Sequence, residues 1–164
     1  MTEVFQVKLW ENDDQWMPER AHDTDAGFDL KARLFGSDDS VVRKTKEKLK
    51  QPEQFTLRPG GTILVRTGVW IQLKSGWEAQ VRPRSGNALK KDLTVLNAPG
   101  TIDSDYRGEV GVILHNCGAL SRTVCQGDKV AQLVIKRVPE VALVKTSSLD
   151  ETERGSGGFG STGD

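Results

Sequence analysis

Residue types that mark several common protein classes are scarce in this chain of 164 residues. The two cysteines, Cys117 and Cys125, are too few for a disulfide framework, and with two histidines they make a poor structural zinc set. The 23 basic and 23 acidic residues cancel, so bulk charge favours neither a nucleic acid nor an acidic membrane as a partner. We therefore expect a small-molecule ligand and two buried free thiols.

Long apolar runs are also missing. No stretch approaches the roughly 20 residues of a membrane span, and the N-terminus lacks the basic start and apolar core of a secretory signal. A chain of this length fits one domain, which buries roughly two-thirds of its unfolded surface. The sequence thus predicts a soluble, cytoplasmic, single-domain protein without membrane association.

What the chain does have is a series of short apolar runs bounded by glycine, proline, aspartate or asparagine. Runs of this length with turn signals between them are typical of strands that each bury one face and need a second sheet opposite. The pattern predicts an all-β sandwich or barrel. The predicted strands are 4–10, 28–32, 63–65, 69–73, 77–81, 110–114 and 130–135.

Two segments depart from this pattern. Residues 37–54 form a charged insertion, in which Ser40 is a candidate N-cap and Pro52 a stop for a solvated helix or loop. A charged surface excursion and a functional basic patch are both open for it. Residues 146–164 form a polar, glycine-rich C-terminal arm with too little apolar surface to pack by itself.

The arm matches the dinucleotide fingerprint at Gly155, Gly157 and Gly160, but only four residues follow, so no helix can receive a pyrophosphate there. Its useful groups are backbone N–H donors, the Arg154 guanidinium and the Phe159 ring. These groups suit either closure over a phosphorylated, ring-bearing ligand or a plain disordered terminus.

Two carboxylates and an aromatic ring meet in the segment 100–108. Asp103, Asp105 and Tyr106 lie in a stretch that is a turn by composition. The functional alternative is that a carboxylate at a strand end polarises a water while the adjacent ring packs against a sugar.

A second candidate site is the segment 82–86, where two arginines flank Pro83 and precede Ser85 and Gly86. We expect a short helix over 87–91 with Ser85 as its N-cap. A helix N-terminus beside arginine can bind phosphate, although a capped turn explains the same residues.

Three aspartates and one glutamine are two further candidates for binding residues. Asp23, Asp25 and Asp29 could hold Mg²⁺ through water, or they could form a solvated acidic loop. Gln132 falls on a predicted strand, where its amide would contact either a ligand or backbone groups.

Five segments resemble, in order and spacing, the motifs of the trimeric dUTPase family, and the resemblance spans nearly the whole chain. The most specific are Gly-x-Ile-Asp-Ser-Asp-Tyr at 100–106 and Arg-Gly-Ser-Gly-Gly-Phe-Gly-Ser-Thr-Gly at 154–163. All five segments are 25–30, 83–86, 97–108, 127–132 and 154–163.

The resemblance implies a distorted jelly roll that assembles as a homotrimer, with residues 1–145 as the β domain and the flexible arm of one subunit closing the site of another. It also implies Mg²⁺-assisted hydrolysis of dUTP to dUMP and pyrophosphate. Such an activity limits uracil in DNA and supplies dUMP for dTMP synthesis. No direct binding of nucleic acid is implied.

Residue by residue, Asp103 resembles the carboxylate that activates the attacking water, and Tyr106 resembles the ring beneath the deoxyribose. Ser85 resembles a catalytic residue near the scissile bridge, and Asp29 the carboxylate that holds Mg²⁺ through water. The other positions that resemble substrate-binding residues are Asn97, Gly100 and Ile102 around uracil, Arg84, Gly86 and Gln132 at the phosphates, and Arg154, Gly158, Phe159 and Gly160 in the arm.

Two other functions compete with this one. Relatives of the same fold that deaminate dCTP carry a glutamate where this chain aligns Ile113, and an apolar residue cannot move protons. A nucleotide-sensing regulator could instead bind a protein partner, for which the insertion 37–54 is the predicted surface.

Overall fold

The computed structural model describes residues 2–34, 41–42 and 54–158, with backbone alone at 41–42. Short 3-10 turns at Trp10–Asn12 and Asp14–Trp16 follow the first strand. The strands are β1 (Gln6–Leu9), β2 (Gly27–Lys31), β3 (Val41–Val42), β4 (Gln54–Leu57), β5 (Thr62–Arg66), β6 (Val69–Gln72), β7 (Trp77–Arg82), β8 (Leu93–Val95), β9 (Gly100–Ile102), β10 (Gly111–Asn116), β11 (Arg122–Cys125) and β12 (Lys129–Arg137), and the α-helix is α1 (Ser85–Lys91).

The strands form two four-stranded sheets and two two-stranded ribbons. The first sheet has the order β2-β12-β7-β9 and the second β3-β5-β10-β8, while β1 pairs with β6 and β4 with β11. Every pairing among these strands is antiparallel. Two antiparallel four-stranded sheets whose neighbours, such as β12 and β2, are far apart in sequence agree with the expected jelly roll.

Alternation of buried and outward side chains builds the core. In the second sheet Val112 pairs with Val65 and Leu114 with Ile63, and all four side chains are buried. Ile113, between them on β10, is only half-buried. One face of each strand therefore packs inward.

All seven predicted strands are present, with ends displaced by one or two residues in most cases. Strands β4, β8, β9 and β11 were not predicted, because strands of three or four residues show one or two alternations at most. Strand β3 was not predicted either. It lies inside the charged insertion, where a helix or loop was expected, and pairs with β5. Residues 37–40 and 43–53 of the insertion, including the positions of Ser40 and Pro52, lie outside the described residues.

Two local predictions were wrong. Cys117 and Cys125 are exposed rather than buried, because each flanks a residue that takes the inward position, Asn116 and Val124 respectively. The helix begins two residues earlier than predicted, at Ser85, and its N-cap is Arg84, which makes no side-chain capping hydrogen bond.

The short helix α1 is fixed at both ends. Arg84 precedes it in an extended conformation, and Asp92 ends it in the left-handed region, with φ of 53°. Lys90 and Lys91 occupy the last turn, where they complement the helix dipole. Within the described residues, none of the helices has the length and apolar character needed to cross a membrane.

Candidate functional site

A row of polar side chains crosses the centre of the first sheet. Gln132 on β12 lies between Asp29 on β2 and Arg82 on β7 in the strand register. Its Nε2 donates a hydrogen bond to the Pro83 carbonyl at 2.8 Å, where the chain leaves β7 for α1. A Cβ at Gly27 would lie 2.3 Å from Gln132 Oε1, so glycine leaves room for the amide. The sheet thus fixes the orientation of the Gln132 side chain.

Asp29 is a carboxylate that is only 8% exposed and faces two cations. Arg84 Nε donates a hydrogen bond to its Oδ1 at 2.7 Å, and Lys129 Nζ lies 2.8 Å from its Oδ2. Contacts of this kind offset the cost of desolvating the carboxylate. Asp29, Arg84, Lys129 and Gln132 are called the Asp29 cluster below. With two positive charges and one negative, the cluster is suited to an anion.

The start of α1 lies beside this cluster. The buried Asn87 donates from Nδ2 to the Lys129 carbonyl at 2.8 Å, which ties the helix to β12. Ser85 and Gly86 are exposed next to Arg84, and a Cβ at Gly86 would meet nothing within 4 Å. The structure therefore brings together the residues of the second, fourth and first motifs, as the resemblance implies.

The connection from β8 to β9, called the Asn97 loop, leads from the second sheet to the first. Asn97 is exposed at its tip, and a Cβ at Gly100 would lie 3.0 Å from the Asn97 amide nitrogen. Gly100 pairs with Val81 on β7, and the Leu96 N–H donates to the Ile113 carbonyl at 2.8 Å. The amide thus lies close to a residue that lacks a side chain, and both ends of the loop are anchored: β8 pairs with β10, and β9 pairs with β7.

The chain leaves β9 into a loop of residues 103–109, called the Tyr106 loop. Asp103 and Asp105 are exposed, and the Tyr106 N–H donates to the Asp103 carbonyl at 3.2 Å, which confirms the predicted turn. The Tyr106 hydroxyl donates to the Glu109 carbonyl at 3.0 Å, and the ring lies against Gly108. Tyr106 is 43% exposed, so much of this residue is open to solvent.

Within one chain, the Asp29 cluster and the Tyr106 loop do not lie together. Across the sheet, Asp29 on β2 lies three strands from β9, which is roughly 14 Å. Along the strands, Arg82 is the β7 residue level with Asp29, since both pair with Gln132, and the Ile102–Ala79 pair lies about 10 Å along β7 from Arg82. Asp103 comes one residue beyond Ile102. The Asp29 cluster and the Tyr106 loop are therefore two separate half-sites within this chain.

The described part of the C-terminal arm is a third group. Arg154 Nε donates to the Gly157 carbonyl at 2.9 Å, and the Gly155 N–H donates to the Thr152 carbonyl at the same distance. For residues 146–158, the hydrogen bonds all lie inside the segment. Gly158 is half-buried, and the predicted Phe159 and Gly160 lie outside the described residues.

Two residues at the site were missed by sequence reasoning. Lys129 lies within the fourth motif, but its contact with Asp29 depends on an irregularity in the pairing of β12 with β2 between Lys129 and Ala131. Glu109 follows the third motif directly and anchors its loop. The available signal was a charge inside the fourth motif for Lys129 and a charge directly after the third motif for Glu109. The partners of these charges follow only from the register of the strands.

Comparison with known proteins agrees with this geometry. The family model for dUTPase matches residues 48–163. A deoxyuridine 5′-triphosphate nucleotidohydrolase of Clostridium tetani is 44% identical over 164 residues, covering 99% of each chain.

Two solved structures have the same fold. A mutant dUTPase of Staphylococcus bacteriophage 80alpha with dUpNHpp has a TM-score of 0.77 at 25% identity, covering 99% of this chain and all of the other. A mutant dUTPase of phage phi11 of S. aureus, described with a structural Mg(II) ion, has a TM-score of 0.69 at 23% identity, covering 91% of this chain and all of the other. Together with the motif residues placed above, the match to the family model over residues 48–163 shows that this chain belongs to the dUTPase family.

Proposed function

We propose that this protein hydrolyses dUTP to dUMP and pyrophosphate. The observation that carries the proposal is the pair of half-sites: a positively charged cluster around Asp29 and an exposed carboxylate, Asp103, beside an open tyrosine ring. Triphosphate hydrolysis needs cations where charge develops and a base that orients water. The half-sites supply these two parts separately.

The proposed roles are those that the resemblance to the family motifs implies. Asp103 accepts a proton from the water that attacks the α-phosphorus, and the ring of Tyr106 packs beneath the deoxyribose. Asn97, Gly100 and Ile102 surround the uracil. The phosphates lie against Arg84, Ser85, Gly86 and Gln132, with Ser85 near the scissile bridge, and the arm contributes Arg154, Gly158, Phe159 and Gly160 when it closes.

Magnesium fits this site when it arrives with the substrate. Among the described residues there is no group of three or more His, Cys, Asp or Glu side chains arranged to hold a metal ion. Mg²⁺ in nucleotide sites is commonly held by one or two carboxylates, waters and substrate phosphates. Both oxygens of Asp29 already face cations, so a contact through water suits it better than direct ligation. The ion would neutralise phosphate charge.

We further propose that the active unit is a homotrimer with shared sites. The separation of the two half-sites in one chain supports this, because a triphosphate held at the Asp29 cluster does not reach Asp103 of the same chain. A neighbouring copy can supply the missing carboxylate, and the arm of a third copy can close over both. Light scattering should give a mass about three times 18.1 kDa.

Mixing two inactive variants tests the sharing directly. Asp103→Asn and Arg84→Ala should each be inactive, yet randomly mixed trimers should regain activity at about one quarter of their sites, because each such site draws its two residues from different copies. If both residues of a site came from one chain, every site of the mixture would carry a defect. Mixtures as inactive as the separate variants would therefore refute shared sites.

A pyrophosphate-release assay over dUTP, dCTP, dTTP and UTP tests the activity itself. We expect dUTP to be turned over far faster than the other three. Release of ammonia from dCTP would instead place the chain with the deaminases of this fold. Ile113 opposes that outcome, because it is an apolar residue whose backbone carbonyl is already bound by the Leu96 N–H.

A further inference from the structure

The Tyr106 loop ends at a buried carboxylate that belongs to a different part of the fold. The Glu109 side chain is only 9% exposed. Its Oε1 accepts a hydrogen bond from the Gly68 N–H at 2.7 Å, and its Oε2 accepts one from Arg66 Nε. Arg33 Nε lies 3.5 Å from Oε1. A carboxylate with these partners is fixed by charge and by a backbone donor at once.

The surroundings of Glu109 are themselves held by several elements. The Trp10 N–H donates to the Gly68 carbonyl at 2.9 Å, and the Arg33 guanidinium lies 3.9 Å from the centre of the Trp10 ring. The buried Thr67 donates from Oγ1 to the Val110 carbonyl at 2.6 Å. The backbone that carries Glu109 is therefore clamped to the turn between β5 and β6.

The tyrosine depends on that backbone. The Tyr106 hydroxyl donates to the Glu109 carbonyl at 3.0 Å, and a Cβ at Gly108 would lie 2.3 Å from the hydroxyl oxygen. Since the ring is 43% exposed, contacts with the protein cover only one side of it. The position of the Glu109 carbonyl thus decides where the open face of the ring points.

We infer that Glu109 is a positioning residue for Tyr106. Its carboxylate, held by Arg66 and the Gly68 N–H, fixes the carbonyl that binds the tyrosine hydroxyl, and so sets the angle at which the ring meets the sugar. The inference rests on the proposed role of Tyr106 beneath the deoxyribose. Loss of the Glu109 charge should disturb the ring and weaken discrimination between dUTP and UTP, although Glu109 itself touches no substrate.

The chain has one tyrosine, which allows a direct measurement of the ring. Full-length protein grown with ring-¹³C tyrosine gives NMR signals from Tyr106 alone. We expect Glu109→Gln to shift these signals and to lower the ratio of dUTP to UTP efficiency about tenfold, since small misplacements of contact groups are costly. Glu109→Asp keeps the charge but shortens the side chain, and it should cause smaller changes in the same direction.

Val124→Ala is the matched control. Val124 is buried on β11, so its truncation lowers stability without touching the Tyr106 loop, and it should leave both the signals and the ratio unchanged. Tyr106 signals that stay unchanged in both Glu109 variants would overturn the inference, as would equal shifts in Val124→Ala. If Glu109→Gln does not fold, Glu109→Asp decides alone.

The two proposals can fail separately. If the ring signals shift in the Glu109 variants while the ratio of dUTP to UTP efficiency stays constant, Glu109 positions the ring as inferred. The role of Tyr106 at the sugar would then be wrong.

Discussion

The Asp29 cluster and the C-terminal arm are held in opposite ways by the chain. In the cluster, hydrogen bonds and ion pairs join β2, β12 and α1 with the segment that precedes it, and they fix Asp29, Arg84, Lys129 and Gln132. The described part of the arm hydrogen-bonds only within itself. In residues 138–145, which lead to the arm, Val141, Leu143 and Val144 are exposed.

The difference indicates that the cluster and the arm would contribute to substrate binding in different ways. Groups fixed before the substrate arrives stabilise developing charge without having to reorganise. A segment that makes few contacts loses conformational freedom when it closes, so it contributes only where a ligand or a neighbouring subunit offers contacts in return. The cluster is therefore expected to affect stability and activity together, and the arm activity alone.

The largest effect is expected for Asp103→Asn, which belongs to neither region. The asparagine keeps the shape but cannot accept a proton, so turnover should fall about a hundredfold to ten-thousandfold. Because Asp103 is exposed, the melting temperature and the affinity for a non-hydrolysable dUTP analogue should change little. Asp105→Asn is the control, and loss of turnover there rather than at position 103 would reverse the two roles.

Truncation before Arg154 tests the arm. It removes the guanidinium and the aromatic ring proposed to close the site, and turnover should fall about a hundredfold to a thousandfold, as for loss of a transition-state contact. Calorimetry should show an unchanged melting temperature, because residues 154–158 hydrogen-bond only among themselves and to Thr152. Full turnover by the truncated chain would eliminate the arm as a lid.

Asp29→Asn tests whether the cluster, unlike the arm, affects stability and activity together. Removing a buried charge that holds two cations should cost about 1–3 kcal/mol of unfolding free energy and lower turnover as Arg84 loses its support. Asp23→Asn, an exposed aspartate of the same segment, should change neither. If the Asp29 variant lost activity without any loss of stability, the contrast between the cluster and the arm would not hold.

The last effect, on assembly rather than on turnover, is expected at the exposed leucine that leads to the arm. Leu143 is 101% exposed in this chain, and we expect a neighbouring subunit to cover it. Leu143→Ser should then weaken the trimer by about 1.5–3 kcal/mol, measured as dissociation on dilution. Leu89→Ser, at a leucine 84% exposed on α1, is the control. Equal dissociation constants for the two variants would place Leu143 outside the interface.

Much of the fold was predictable because its signals are local. The runs that became β5, β6, β7, β10 and β12 are short stretches rich in apolar residues, and glycine or proline marks many of their ends. Shorter strands such as β9, at Gly100–Ile102, were missed because their own residue pattern is too short. The strand is identified only by its pairing with β7. The burial of Cys117 and Cys125 was predicted from residue type, and their position beside Asn116 and Val124 overrode it.

The sequence by itself determined the β class and the family, and it supplied the candidate site residues as predictions, since side-chain chemistry and motif order are properties of the chain. Tertiary structure alone decided that Asp29 faces Arg84 and Lys129, that Glu109 supports Tyr106, and that the two half-sites lie apart. Each of these depends on strand register and sheet order. A shift of one residue would turn the side chains to the other face, and only the packing of the whole core selects one register.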